Sequence, residues 1–455
     1  MRRSLRNGVA LVSLSLAGLS VVPAQQAVAQ ERVAQERVTQ EQATTTQQAT
    51  RTSPEVSIGT RLAARTDPSV RQITTVYRAT LSVPPPKATK AFYQLFRKAE
   101  AHAKAGRIPS DNQSRLKWVL KTAGGDVDRY FRPGKAPRVA PGELPGICTA
   151  WWVTPQGHMV TGSHCVGWSK AYFQQNFATA FLPKLTADDA KAFLQPMRKN
   201  VVIDGGLTKL AQTMFGTFNV KHLKLKNARS AVYLGSMDAY AKGKAPRLAL
   251  LKKGEDWPGL DWALLKASNM RNLPTVPLGR DGDVRVGDTL YINGYPGTVD
   301  LSPYLSRKSK DHPTLTQGAF NAMRTSIRGV PYIQTQVPAY GGNSGGPVFN
   351  KDGKVIGIAI AVLVSNNIGG HTENSTLVLP VDLIKHQLKL AGVTPVTSQT
   401  STIYYSALDD FFADRYRAAL PKFAKVLRLH PQHLYVRGFI KQAKQAIAAG
   451  RDKSR

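Results

Sequence analysis

Acidic residues are scarce in this chain: 62 lysines and arginines stand against 29 aspartates and glutamates, a formal net charge of +33 over 455 residues. Cysteine is scarcer still, with only Cys148 and Cys165, seventeen positions apart. No pair of neighbouring histidines accompanies them, which argues against a structural zinc site. Past residue 22 no apolar run approaches the roughly 20 residues that a bilayer span requires, so no membrane span is expected. The chain also lacks a phosphate-binding loop, paired zinc ligands and an RNA-stacking motif, so no metal, no organic cofactor and no specific nucleic acid is expected. The basic excess is spread out, with clusters at 87–138, at 221–253 and near the C-terminus. It favours non-specific contact with polyanions such as cell-wall polymers, acidic lipid surfaces or extracellular nucleic acid. A solvated basic surface accounts for it equally well.

The one long apolar run lies at the beginning. Arg2, Arg3 and Arg6 precede Gly8–Val22, which is followed by Pro23 and by Ala27-Val28-Ala29. A basic start, a short apolar stretch and a small-residue cleavage site read as a secretory signal peptide over 1–29. Arg2-Arg3 followed by Leu5 is also compatible with twin-arginine export. The mature protein is therefore expected to be secreted or periplasmic. Gln30-Glu31-Arg32-Val33-Ala34 is then nearly repeated as Gln35-Glu36-Arg37-Val38-Thr39 before a Thr/Gln tract. Such a composition cannot build a core, and 30–86 is expected to be a low-complexity disordered linker. After Pro84-Pro85-Pro86, residues Ala91, Phe92, Leu95, Phe96, Ala99 and Ala103 mark one face of a helix that stops at Gly106, and a second amphipathic stretch runs from about Asn112 to Thr122. Residues 87–138 are read as a helical pre-domain on this spacing.

The chemistry concentrates in Gly341-Gly342-Asn343-Ser344-Gly345-Gly346-Pro347. A serine between glycines can expose its hydroxyl beside unobstructed backbone N–H groups, which is what an acyl-transfer nucleophile needs when charge develops on the carbonyl oxygen. A glycine-rich hairpin turn is the plainer alternative. The hydroxyl needs a base, and His164 lies in Thr161-Gly162-Ser163-His164-Cys165, after a strand–turn–strand pattern over 150–160. The base needs an orienting carboxylate, and Asp261 opens the apolar run Asp261-Trp262-Ala263-Leu264-Leu265. Singly, each has an ordinary explanation: a histidine at a strand end is often structural, and an aspartate before a strand is often a turn residue.

The order His, Asp, Ser and the local wording change that. Ile333-Gln334-Thr335, Gly342–Asn350 and Asp352-Gly353-Lys354-Val355-Ile356-Gly357-Ile358, with Val286-Gly287-Asp288, Gly294-Tyr295-Pro296-Gly297 and Leu379-Pro380-Val381, resemble a chymotrypsin-fold (trypsin-like) serine protease over about 145–392, and are especially similar to the bacterial HtrA (Deg) branch. The resemblance implies a mainly β fold of two antiparallel six-stranded barrels. It also implies Ser344 as nucleophile, His164 as general base and acid, Asp261 as the residue that orients it, and the N–H groups of Gly342 and Ser344 as an oxyanion hole. The function it implies is a serine endopeptidase acting on protein or peptide substrates through an acyl-enzyme. Members of that fold often join the two positions occupied here by Cys148 and Cys165, and a disulfide between them is expected in an exported chain; two free buried thiols are the alternative.

Two departures from that pattern carry meaning. Asn343 stands before the nucleophile where the digestive enzymes have an aspartate paired with a newly cut N-terminus, so activation by such cleavage is not expected. Pro338 stands where trypsin has the acid that selects Lys and Arg. With Ser375-Thr376-Leu377-Val378-Leu379 expected at the pocket edge, the preference is read as modest apolar side chains. From His164 to Asp261 the chain runs 97 residues, longer than a barrel needs, so a helical insertion is placed at about 168–250 within a protease domain of 139–395. Thr186-Ala187-Asp188-Asp189 is read there as a capping box opening a helix. Residues 396–455 are read as a helical segment with the Ala419, Phe423 and Pro431 spacing of one tetratricopeptide-like unit, which must lean on the barrel or on a second copy, and no PDZ domain is expected. A catalytically silent, protease-fold binding or scaffold protein of the cell envelope is the rival function.

Overall fold

The structure, a computed structural model, describes residues 56–364 and 374–454. The expected signal peptide and the tract up to residue 55 lie outside the described residues.

The short apolar runs separated by turn residues curl into two closed antiparallel barrels of six strands each, the class expected. The first is built from β1 (Val70–Val83), β2 (Arg138–Trp152), β3 (His158–Thr161), β4 (Lys224–Leu234), β5 (Arg247–Lys253) and β6 (Ala263–Lys266), in the spatial order β1-β2-β3-β6-β5-β4. The second is built from β7 (Thr289–Gly294), β8 (Thr314–Thr325), β9 (Pro331–Thr335), β10 (Pro347–Phe349), β11 (Val355–Val364) and β12 (Asn374–Pro380), in the order β8-β9-β12-β11-β10-β7.

The expected domain boundaries need correction. A linker over 30–86 fails in its later part, because β1 is a full barrel strand paired with β2 from Val70↔Trp151 to Val83↔Arg138. Its threonines and arginines make it look polar, yet Val70, Ile73, Val76, Tyr77, Leu81 and Val83 are all buried; a strand needs an apolar face and not an apolar composition. The barrel thus begins at 70 rather than 139, and the helices of 87–138 form an excursion between β1 and β2 rather than a pre-domain. The second excursion, expected over about 168–250, is mainly helical to His222, after which β4 and β5, with one short helix at Met237–Ala241 between them, return to the barrel.

The two excursions fold against each other. In the first, α1 (Lys90–Lys104) starts at Thr89, whose hydroxyl accepts the Phe92 N–H, and stops before Gly106; α2 (Asn112–Gly125) starts at Asp111, which accepts the Ser114 N–H at 2.8 Å. In the second, α3 (Lys170–Leu194) is capped by Ser169 and α4 (Gly205–His222) by Asp204, which accepts the Leu207 N–H at 2.7 Å. Each such cap is worth about 1 kcal/mol. Phe92, Leu95, Leu116, Leu120, Met214 and Phe218 form their shared core, and full burial of side chains of this size contributes roughly 1.5–3 kcal/mol apiece. The expected capping box at Thr186–Asp189 is corrected here, since these residues lie inside α3. Their polar groups serve a tertiary contact instead: Asp189 binds Arg138 of β2 at 2.5 Å and Asn219 of α4 at 2.9 Å.

After α5 (Val381–Leu390), three helices close the chain: α6 (Gln399–Phe412), α7 (Tyr416–Leu429) and α8 (Val436–Ala448). Tyr404, Ala407, Ala419, Phe423 and Val436 pack together among them. The unit packs on the segment that joins the barrels and on the helix Ile58–Thr66: the Ser401 hydroxyl both accepts the Thr275 N–H and donates to Thr275 O, and Tyr404 donates to Ala64 O.

Strand parity sets the relation between the barrels. Along β2, Cys148, Ala150 and Trp152 point into the first barrel. Trp151 and, just past the strand, Val153 point the other way, into an apolar seam shared with Tyr291, Tyr332, Phe349 and Ile358 of the second barrel. A strand places alternate side chains on opposite faces, so Thr149, fully buried, belongs to the seam face.

At one end of the seam Asp67 accepts a hydrogen bond from Asn293 of β7 at 2.8 Å. Burial pushes its carboxyl up to about 7, against the pull of the Asn293 bond and the Arg71 charge. An acid that holds its proton more tightly when folded stabilises the fold fully below its ordinary value of 3.8, and that contribution is lost as pH rises through about 7. Asp67→Asn should therefore gain thermal stability relative to the wild type as pH is raised across this window. Unfolding midpoints of the two proteins measured at several pH values check it; a difference that does not change with pH contradicts it.

Candidate active site

Three loops reach the seam. The first follows β3 and carries His164; the second precedes β6 and carries Asp261; the third lies between β9 and β10 and carries Ser344. The first barrel thus supplies His164 and Asp261, and the second supplies Ser344.

His164 and Asp261 meet directly. His164 Nδ1 lies 2.8 Å from Asp261 Oδ2, and the His164 backbone N–H donates to Asp261 Oδ1 at 3.1 Å. Asp261 is fully buried and accepts a third hydrogen bond from the Trp257 N–H at 3.1 Å. Three donors offset the burial of this carboxylate and fix its plane. The imidazole keeps 32 % of its side-chain surface exposed. Burial works against protonation of His164, but the hydrogen bond and charge of Asp261, with Asp256 behind, outweigh it and raise its pKa above the ordinary 6.5.

Ser344 joins this pair through Cys165. Cys165 Sγ lies 3.7 Å from His164 Nε2 and 3.5 Å from Ser344 O, and bonds to Cys148 Sγ at 2.07 Å. With both sulfurs in that bond, neither is a free ligand, although they stand with His164 within a metal-sized cluster. The half-buried Ser344 hydroxyl rests 3.4 Å from Ile360 O.

The N–H groups around the serine are fixed by their own peptide planes. Gly341 O accepts the Gly297 N–H at 2.6 Å, and Asn343 O accepts the Gly346 N–H at 2.9 Å. A trans peptide points its N–H opposite to its carbonyl, so the Gly342 and Ser344 N–H groups are turned away from these anchors, and neither has an acceptor among the described residues. Glycine is required at two places. Gly342 has φ +104° and a Cβ there would stand 2.3 Å from Tyr295 O; Gly345 has φ +82° and a Cβ would stand 2.1 Å from Thr161 Oγ1. Asn343 is buried behind the turn.

Pro338 is exposed and offers no charge. Of the expected pocket edge, Leu377 and Leu379 belong to the seam core and Val378 to the core of the second barrel. Only Ser375 remains half-exposed, with Gln334 donating to its hydroxyl at 3.1 Å. The strand parity of β12 hides these aliphatic side chains, which a run of five residues could not reveal. Sequence reasoning missed Thr149, whose hydroxyl donates to Gly342 O at 2.7 Å and accepts the Tyr295 N–H at 2.9 Å. Its signal was the β2 alternation of Cys148, Ala150 and Trp152, which leaves Thr149 on the opposite face.

Known proteins share this region. The family described as trypsin-like peptidase domain matches residues 148–358. A probable periplasmic serine endoprotease, DegP-like, of Pseudomonas fluorescens is 35% identical over 141 residues, 30% of this chain and 26% of that protein. The equivalent protein of Halomonas elongata is 38% identical over 126 residues, 27% of this chain and 23% of that protein. The chain thus spans about a quarter of the length of these curated relatives. Among solved structures, the HtrA-type protease AlgW with decapeptide aligns over 74% of this chain and 67% of that one, at 18% identity and a TM-score of 0.36. Residues 148–358 match the trypsin-like peptidase domain family and lie within the pair of closed six-stranded antiparallel barrels, and part of the chain is similar in sequence to DegP-like serine endoproteases.

Proposed function

We propose that this chain is an exported serine endopeptidase that opens peptide bonds through an acyl-enzyme. Ser344 is the nucleophile, His164 the general base and then acid, Asp261 the residue that orients His164, and the Gly342 and Ser344 N–H groups the oxyanion donors. The observation that carries this reading is the His164–Asp261 pair meeting, at Cys165, a serine whose flanking N–H groups are unspent. The Ser344 hydroxyl turns from Ile360 O to His164 Nε2 and gives up its proton as Oγ bonds to the substrate carbonyl carbon. The carbonyl oxygen takes the negative charge and is held by the two N–H groups. The imidazolium, stabilised by Asp261, hands the proton to the leaving amine as the C–N bond breaks, and water then repeats the sequence on the ester. The steps balance among the substrate, water and these side chains.

Export is supported by the signal-peptide pattern of 1–29 and by the periplasmic naming of the relatives. Among the described residues no helix is long and apolar enough to cross a membrane. A disulfide joining Cys148 and Cys165 belongs to this reading, holding the His164 loop to β2; closing a loop of that size contributes roughly 3 kcal/mol in the chain-entropy picture. The basic surface supports contact with anionic polymers near the cell boundary, without specific nucleic-acid recognition.

A fluorophosphonate probe tests the nucleophile. Purified protein should label at Ser344 and digest casein, and Ser344→Ala should abolish labelling and reduce turnover by about 10⁴ or more. A well-folded wild type that neither labels nor cleaves favours the scaffold role instead. The acid limb of kcat/KM should have its midpoint above 6.5, because His164 must be neutral to act as base and its pKa is raised. Asp261→Asn should shift that midpoint downward as well as lower the rate; an unmoved midpoint contradicts the assigned pair. A peptide-library profile should show cleavage after modest apolar residues, since Pro338 supplies no counter-charge, and dominant cleavage after Lys or Arg would overturn this preference.

A further inference from the structure

Thr149 spends each of its polar groups on the nucleophile loop or on a support of that loop. Its backbone N–H donates to Ser344 O at 2.9 Å, and its carbonyl accepts the Thr161 hydroxyl at 2.7 Å. Its hydroxyl accepts the Tyr295 N–H at 2.9 Å, which commits the single hydroxyl proton to Gly342 O at 2.7 Å. All of this happens with no exposure to water.

The bond to Gly342 O matters because of the residue that carries it. A glycine moves between left-handed and right-handed regions at little cost, so φ +104° at Gly342 is not enforced by its own sterics. The two peptide planes around it are fixed from outside. Gly297 N–H holds the carbonyl of the plane that contains the Gly342 N–H, and the Thr149 hydroxyl holds the carbonyl of the next plane, which leads to Asn343 and Ser344. Without that hydroxyl a buried carbonyl would lack its donor, a state costly enough to drive a plane to rotate toward another partner. That plane carries the Asn343 N–H, which donates to Tyr340 O at 2.9 Å, and it links the two planes that carry the Gly342 and Ser344 N–H groups, so its rotation would change the directions of those two donors relative to each other. Cys148, the preceding residue, bonds to Cys165 beside His164. Two consecutive positions of β2 thus set the base on one side and the oxyanion donors on the other.

We infer that Thr149 is a positioning residue for the oxyanion donors, acting through its hydroxyl on the Gly342 peptide. The inference rests on the serine endopeptidase reading given above. It predicts a defect in the tetrahedral state and not in substrate affinity, because the hydroxyl acts only through the donors that the oxyanion meets.

Steady-state kinetics on a peptide substrate, with thermal midpoints in parallel, test it in wild type, Thr149→Val and Thr149→Ser. Thr149→Val keeps the shape but loses the hydroxyl, and its kcat should fall about 10- to 100-fold, the scale of a small misplacement in a reacting site, with KM near the wild-type value. Its affinity for a peptide boronic acid, whose tetrahedral adduct places an oxygen where the donors point, should fall by a similar factor. Thr149→Ser keeps the hydroxyl and should restore both. An unchanged kcat in folded Thr149→Val, a loss confined to KM, or an equal loss in Thr149→Ser would each overturn the inference. Should Thr149→Val fail to fold, Thr149→Ala removes the hydroxyl without adding a methyl beside Gly342 O and carries the same comparison. A wild type that neither labels with fluorophosphonate nor turns over defeats the endopeptidase reading itself, and the role of Thr149 with it.

Discussion

The seam between the two barrels is the constraint on which the rest of this molecule depends. The glycine-rich loop around Ser344 has no conformation of its own to defend, and a histidine at a strand end has several rotamers. Both become definite because β2 passes between them with one face turned to each barrel. Cys148 faces inward and meets Cys165 next to His164, while Thr149 faces the seam and meets the loop of Ser344. The apolar seam around Trp151, Tyr332 and Phe349 supplies the cohesion. The hydrogen bonds within it contribute less net stability but fix the register, since a buried donor or acceptor left unpaired is expensive.

The helical additions enter the fold through barrel connections. α1 and α2 leave between β1 and β2, and α3 and α4 leave just after His164. Neither pair could bury its apolar face alone; together they share one core. The ion pair of Arg138 with Asp189 ties that core to the start of β2, the same strand whose far end carries Thr149. Local order at the seam and the packing of the helices are thus mechanically continuous along one strand.

The candidate residues of the site were legible one by one. Ser344 between glycines, His164 after a strand–turn–strand pattern and Asp261 at the mouth of an apolar run are local signals, and the structure does bring His164 onto Asp261 and Ser344 onto Cys165. The helix of Ala91 to Ala103 was legible too, because its period of 3.6 and its stop at Gly106 are encoded within sixteen residues. What escaped were features whose meaning depends on partners. Val70–Val83 looked like the end of a polar linker because its burial comes from β2 and β4. Thr186–Asp189 carried the letters of a cap, yet Arg138 and Asn219 claimed the side chains and the helix ran through them. Leu377 and Leu379 looked like a pocket edge until strand pairing turned them into the core.

By itself the chain determined which groups can act: a hydroxyl, an imidazole, a carboxylate and two glycines whose missing side chains let backbone donors stand free. These are properties of residue type and of neighbours a few positions away. Only the tertiary structure decided where those donors aim and which strand holds them, because the direction of a peptide plane is set by what its carbonyl binds. Here Gly297 and Gly346 hold the carbonyls of the planes that carry the two donors, and Thr149, from the opposite barrel, holds the carbonyl of the plane between them.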